Sequence, residues 1–346
     1  MSRVVSTVCG MLAALACIAG CVPSLAQAAP QAQTVEQVVM VPKIGAETTV
    51  DLETTIFRPP GDGPFPLVVI NHGKSPGKPA FQGRARFAAQ TAEFVRRGYV
   101  VALPMRQGFS KSGGVYVGGS CNVRDNGMMQ AEDVVAVLDY LVQQPYVDPT
   151  RIVVVGQSHG GLSTMALSAI GYPGVVGVIN FAGGLRNENC VGWENNLIDA
   201  FGDYGRAARY PSLWIYGDND SFWPWPLPER MFNSYKAHAG GAEADARFVD
   251  VGEFDGDSQR LFSNRAGVAV WLPEVARFFR QLGLPFRRAG WLDHAGRRRG
   301  RPDVLTTHII SRRQTCSSPR LPLPPNAISA RSRSIGPTCA MPSTRR

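Results

Sequence analysis

Three valines, Val153-Val154-Val155, run directly into Gly156-Gln157-Ser158-His159-Gly160, and the apolar stretch Leu162-Ala169 follows at helical spacing. A short apolar run reads as a strand buried on both faces, the kind found in parallel sheets. Small residues on either side of a serine allow a sharp turn from strand into helix. Such a turn lifts the serine Oγ above the sheet, at the helix end whose dipole favours negative charge. The order strand, turn, helix therefore predicts that Ser158 is a nucleophile and that the domain around it is of the α/β class.

The rest of the chain agrees with that class. Val35-Met40 and Thr48-Phe57 read as an opening antiparallel pair. Leu67-Ile70, Tyr99-Leu103, Ile152-Val155, Val175-Phe181, Leu213-Tyr216 and Phe248-Val251 read as later strands. Helical spacing falls between or after them, at 84–97, 128–144, 162–169, 227–239 and 268–282. Residues 106–127 and the segment carrying Cys190 and Trp193 are expected to be loops. Alternating strands and helices predict a mostly parallel sheet with helices on both faces. A chain of 346 residues, 44% hydrophobic, is long enough for one large core of this kind.

Charge and composition divide the chain. Residues 285–346 hold thirteen arginines against two acids, which leaves the preceding residues at −2 within a total of +9. The domain itself thus offers no basic surface for nucleic acid or an anionic membrane. The Arg-, Pro- and Ser-rich stretch lacks apolar periodicity and reads as a disordered tail. At the other end, Arg3, the apolar run Val4 to Gly20 and Ala26-Gln27-Ala28 read as a signal peptide over residues 1–28, cleaved to leave Ala29. Two alternatives stay open there: lipidation at Cys21, within the lipobox-like Ile18-Ala19-Gly20-Cys21, and a retained anchor. Residues 29–34 read as a linker and 35–284 as the domain. An exported, periplasmic or secreted protein is the expectation. In an oxidising compartment Cys121 and Cys190, the two cysteines of the domain, are expected to form a disulfide.

Nucleophilic chemistry at a serine needs more than the nucleophile. Two backbone donors must hold the oxyanion. One is expected from the N–H of His159, the other from Gly73 or Lys74, in the loop after the strand that ends at Asn71. An acid is expected after a later strand, and the spacing in Gly217-Asp218-Asn219-Asp220 favours Asp220 over Asp218. The cysteines lack metal-ligand spacing and the histidines do not cluster with acids, so neither a metal nor a cofactor is expected. Trp193, Trp223 and Trp225 read either as the mouth of a pocket or as ordinary packing.

With these residues in hand, the chain resembles the exported bacterial dienelactone hydrolase-like and prolyl-oligopeptidase-like α/β-hydrolases over Val35 to Leu284. Asn71-His72-Gly73, Gly156 to Gly160, Gly217 to Asp220 and Trp271-Leu272-Pro273 carry the resemblance. It implies the α/β-hydrolase fold and a triad in the chain order nucleophile, Asp, His. Members named for dienelactone usually carry a cysteine nucleophile, so Ser158 points to small-molecule carboxylic esters in general. It also implies a histidine in an Asp-x-His-x-(apolar)-Phe loop. Spaced on Phe262, that position is Gln259, with Asp257 the second choice. The five histidines are His72, His159, His238, His294 and His308, and none lies in this loop. The resemblance therefore implies a serine hydrolase with a weakened base or, alternatively, an inactive binding protein that keeps the fold.

Overall fold

The computed structural model describes residues 34–118, 121–240 and 245–287. The expected signal peptide, Cys21, most of the linker, His294, His308 and the tail beyond Arg287 lie outside the described residues. Among the described residues, eight strands form one sheet: β1 (Val35–Ile44), β2 (Thr49–Arg58), β3 (Phe65–Asn71), β4 (Val100–Pro104), β5 (Val147–Gln157), β6 (Val175–Phe181), β7 (Ser212–Tyr216) and β8 (Ala246–Asp250). Their spatial order is β1-β2-β4-β3-β5-β6-β7-β8. The β1–β2 and β2–β4 pairs are antiparallel, and every pair from β4 to β8 is parallel.

Among the described residues, six α-helices cover the sheet: α1 (Ala88–Val95), α2 (Val123–Leu141), α3 (His159–Ile170), α4 (Trp193–Ala207), α5 (Leu227–His238) and α6 (Gly267–Gln281). The sheet's two faces feed two cores. Leu67, Val69, Ile152 and Val154 pack with residues of α2 to α5. Val68, Ile70, Val153 and Val155 pack with Phe94 of α1 and Trp271, Val275 and Phe279 of α6. Successive strand residues point to opposite faces. A strand buried on both sides must therefore be apolar at every position, which is why β3 and β5 read as unbroken runs.

Several boundaries differ from expectation. Helix α2 begins at Val123 rather than Met128, because the Asn122 side chain accepts a bond from the N–H of Asp125 and caps it earlier. Helix α1 begins only at Ala88, after Phe87 takes a left-handed φ of 40°. Helix α6 starts at Gly267, so Trp271-Leu272-Pro273 sits within it. Helix α4 occupies a stretch whose sequence reads as loop. Its Leu197, Phe201 and Tyr204 are buried at helical spacing. Its two interior glycines serve close packing: a Cβ on Gly205 would stand 2.2 Å from the Tyr235 carbonyl oxygen of α5, and one on Gly202 would stand 2.6 Å from Ser234 Oγ.

Candidate active site

The turn between β5 and α3 is held by its glycines. A Cβ on Gly156 would meet the Gly160 carbonyl oxygen at 2.1 Å, and one on Gly160 would meet that of Asn71 at 2.2 Å. Ser158 between them adopts φ 55° and ψ −125°, a conformation a side chain rarely tolerates. It persists because the backbone is tied on both sides. The Ser158 N–H donates to the Phe181 carbonyl at 3.0 Å, and the Ser158 carbonyl accepts from Gly161 at 2.8 Å and from Gly184 at 3.0 Å.

The segment after β3 lies against this turn. A Cβ on Gly73 would stand 3.1 Å from Ser158 Cβ and 3.7 Å from its Oγ. His159 opens α3, so its N–H has no carbonyl one turn back to bond. Those are the two places where oxyanion donors are expected, and both adjoin Ser158. The Gly73 carbonyl accepts from Gln82 Nε2 at 3.1 Å, and that of His72 accepts from Arg106 Nη2 at 2.7 Å. Arg106 is fully buried and donates from Nε to Gln130 Oε1 at 2.7 Å. Desolvation lowers its pKa to about 10. Neither Arg106 nor Gln82 stands out in the sequence, because each acts through contacts that only the fold creates.

The imidazoles are engaged away from the serine. His72 Nδ1 lies 2.7 Å from the Gly73 carbonyl oxygen, and His159 Nε2 lies 2.8 Å from Asn126 Oδ1. Burial, aided by the Arg106 charge, holds both well below the ordinary histidine pKa, so both are neutral. His238 is exposed on α5, with Nδ1 2.7 Å from the Ser234 carbonyl oxygen.

The turn after β7 buries Asp220 and exposes Asp218. Asp220 Oδ1 accepts from the N–H groups of Phe222 at 2.8 Å and Trp223 at 3.1 Å, while Oδ2 is buried without a partner. Desolvation outweighs those two bonds and raises its pKa to about 7. Trp223 is buried over Gly184 and donates to the Ala182 carbonyl at 2.7 Å, whereas Trp225 is exposed. Gln259 is buried in the loop after β8, and its Oε1 also lacks a donor. Its carbonyl accepts from Gln157 Nε2 at 2.8 Å, which seats it beside the serine turn.

Asn219 fastens this loop from the β7 side, accepting on Oδ1 from Phe254 at 3.0 Å and Ser258 at 3.2 Å. Asp257, the second choice for the missing histidine, instead accepts on Oδ1 from the N–H groups of Ser221 and Gln259, each at 3.0 Å. The Cys121 and Cys190 sulfurs stand 1.99 Å apart, at bonding distance.

A family model for the X-Pro dipeptidyl-peptidases (S15 family) matches residues 48–205, which include Ser158 and end before Asp220. Among solved structures, the chain is similar to a protein described as a dienelactone hydrolase from Klebsiella pneumoniae, with TM-score 0.52 and 18% identity over 72% of this chain and 99% of that one. It is similar to an esterase from Pyrococcus furiosus, with TM-score 0.50 and 15% identity over 72% of this chain and 92% of that one. It also resembles an acylaminoacyl peptidase from Pyrococcus horikoshii, with TM-score 0.51 and 14% identity, covering 71% of this chain but 41% of that one. What these proteins share with the chain is the fold, a mostly parallel sheet clad in helices, and that fold is the α/β-hydrolase fold.

Proposed function

We propose that the chain is an exported serine hydrolase of small carboxylic esters, slowed because Gln259 stands where its relatives' base is expected. The observation that carries the reading is the backbone of Ser158, held at positive φ by bonds on both sides. Strain of this kind is retained where chemistry needs it. In the reaction, Ser158 Oγ attacks the ester carbonyl carbon. The N–H groups of His159 and of Gly73 or Lys74 hold the oxyanion, the alcohol leaves, and water then releases the acid from acyl-Ser158. No cofactor takes part. Export draws support from residues 1–28 and from the paired sulfurs of Cys121 and Cys190, which suit an oxidising compartment.

Gln259 also favours a second reading, a binding protein without turnover, since an amide accepts no proton at neutral pH. In a characterised triad, loss of the histidine alone lowers turnover on the order of 10⁶-fold. Hydrolysis of p-nitrophenyl butyrate separates the readings. Wild type should turn over slowly, Ser158→Ala should fall to background, and Gln259→His should raise kcat by about 10²-fold or more. Fast wild-type turnover that Gln259→His leaves unchanged would rule out the weakened base. Activity that survives in Ser158→Ala would rule out the nucleophile. Absence of turnover in wild type and Gln259→His alike would leave the binding reading.

A further inference from the structure

Two buried acceptors, Asp220 Oδ2 and Gln259 Oε1, have no donor among the described residues. Leaving such atoms unpaired is costly, so each calls for a hydrogen. Both belong to one corner of the site, because Asp257 Oδ1 binds the N–H of Ser221, next to Asp220, and the N–H of Gln259 itself. The same corner adjoins the serine. Gln157 Nε2 holds the Gln259 carbonyl, and Gly184, whose N–H binds the Ser158 carbonyl, packs against the ring of Trp223, whose backbone N–H binds Asp220 Oδ1. A water molecule has two hydrogens and would satisfy both acceptors at once.

Resting on the serine hydrolase reading above, we propose that Asp220 is the general base of this site and takes the Ser158 proton through one water shared by its Oδ2 and Gln259 Oε1. In the acylation step the water oxygen accepts the Oγ proton and passes one of its own to Oδ2, while its other hydrogen stays on Oε1. The Oγ–C bond forms and the carbonyl electron pair moves onto oxygen. When the tetrahedral adduct collapses, the C–O bond to the alcohol breaks, and the proton returns through the water to the leaving oxygen. A second water, deprotonated by the same route, attacks the acyl carbon; the C–Oγ bond breaks, the acid leaves, and the proton returns through the shared water to Ser158 Oγ.

A carboxylate can do this at neutral pH only if its proton affinity is raised, and burial supplies that. The groups facing Asp220 agree. Asp257 adds like charge, and the Tyr216 phenol of β7 carries none at neutral pH. Arg186 bonds the Ser221 and Phe222 carbonyls and pairs with Glu188. Among the described residues no cation bonds the Asp220 carboxylate.

The experiment measures kcat/KM for p-nitrophenyl acetate between pH 5.5 and 8.5 in wild type, Asp220→Asn, Gln259→Leu and Ser158→Ala. The wild-type rate should rise with pH through a single midpoint near 7. Asp220→Asn should lose about tenfold or more at pH 8 and become flat, and Gln259→Leu should lose a similar factor while Asp220 remains. A solvent deuterium effect should be present in wild type and absent in Asp220→Asn. An unchanged pH profile in Asp220→Asn overturns the proposal; should that variant fail to fold, an unchanged rate in Gln259→Leu does so instead. If wild type gives no turnover above Ser158→Ala, a fluorophosphonate probe decides what has failed. Labelling of Ser158 would leave a serine nucleophile without this base, and no labelling would remove the serine hydrolase reading itself.

Discussion

At the scale of single residues, Asp220 stores free energy that pH can release. Its folded pKa of about 7 lies above the value near 3.9 expected in the unfolded chain. Between those values the unfolded state gives up a proton that the folded state keeps, so Asp220 lowers stability as pH rises from about 4 through about 7. The full effect is on the order of a few kcal/mol. Asp220→Asn should match the wild-type melting temperature near pH 4 and exceed it increasingly up to pH 8, as followed by circular dichroism. His72 and His159 act with the opposite sign. Their folded pKa is depressed, so they cost stability as pH falls below about 6.5, where the unfolded imidazoles charge. The difference between variant and wild type cancels that contribution. The serine turn was legible because glycine spacing and a valine strand are local signals. The Arg106 clamp on His72 and the Asn219 fastening of the 254–258 loop were not, since each joins segments far apart in sequence.

At the scale of elements, the same divide between local and tertiary signals holds. Strands β3 and β5 were legible from the unbroken apolar runs Leu67–Ile70 and Ile152–Val155. Helix α4 was not, because Gly202 and Gly205 read as loop residues when their role is to let α5 approach. That helix also bears on the cysteines. Cys121 precedes the cap of α2, and the Cys190 carbonyl accepts from the N–H of Trp193 at the start of α4. A bond between them would tie the first turns of two helices across 69 residues of sequence. By loop-closure entropy such a link is worth about 4 kcal/mol. Reduction with dithiothreitol should therefore lower the melting temperature on the order of 10 °C. Thiol titration under denaturing conditions, on protein produced in an oxidising compartment, should find these two cysteines blocked before reduction and free afterwards.

At the scale of the whole molecule, the packed chain runs slightly further than the apolar periodicity does. Beyond Leu284, the Pro285 carbonyl accepts from Tyr99 Oη at 2.5 Å, and Phe286 is buried against Phe94, Tyr99 and Phe279 with Arg97 over its ring. A chain cut after Arg287 should keep the full-length melting temperature, while one cut after Leu284 should lose about 3 kcal/mol of stability, the cost of removing a buried aromatic. The sheet order carries a last consequence, for how such a chain comes to be folded. β1 and β2 are neighbours in sequence and can pair as soon as both exist, but β3 waits for β5, which begins at Val147. Pairings this distant in sequence form slowly. Until β5 arrives, Leu67 to Ile70 form an apolar strand with an open edge at what becomes the middle of the sheet, the kind of edge that recruits other chains. A nascent or truncated chain ending before β5 is thus exposed to aggregation at its own centre, and a holdase that covers β3 would protect it best in that interval.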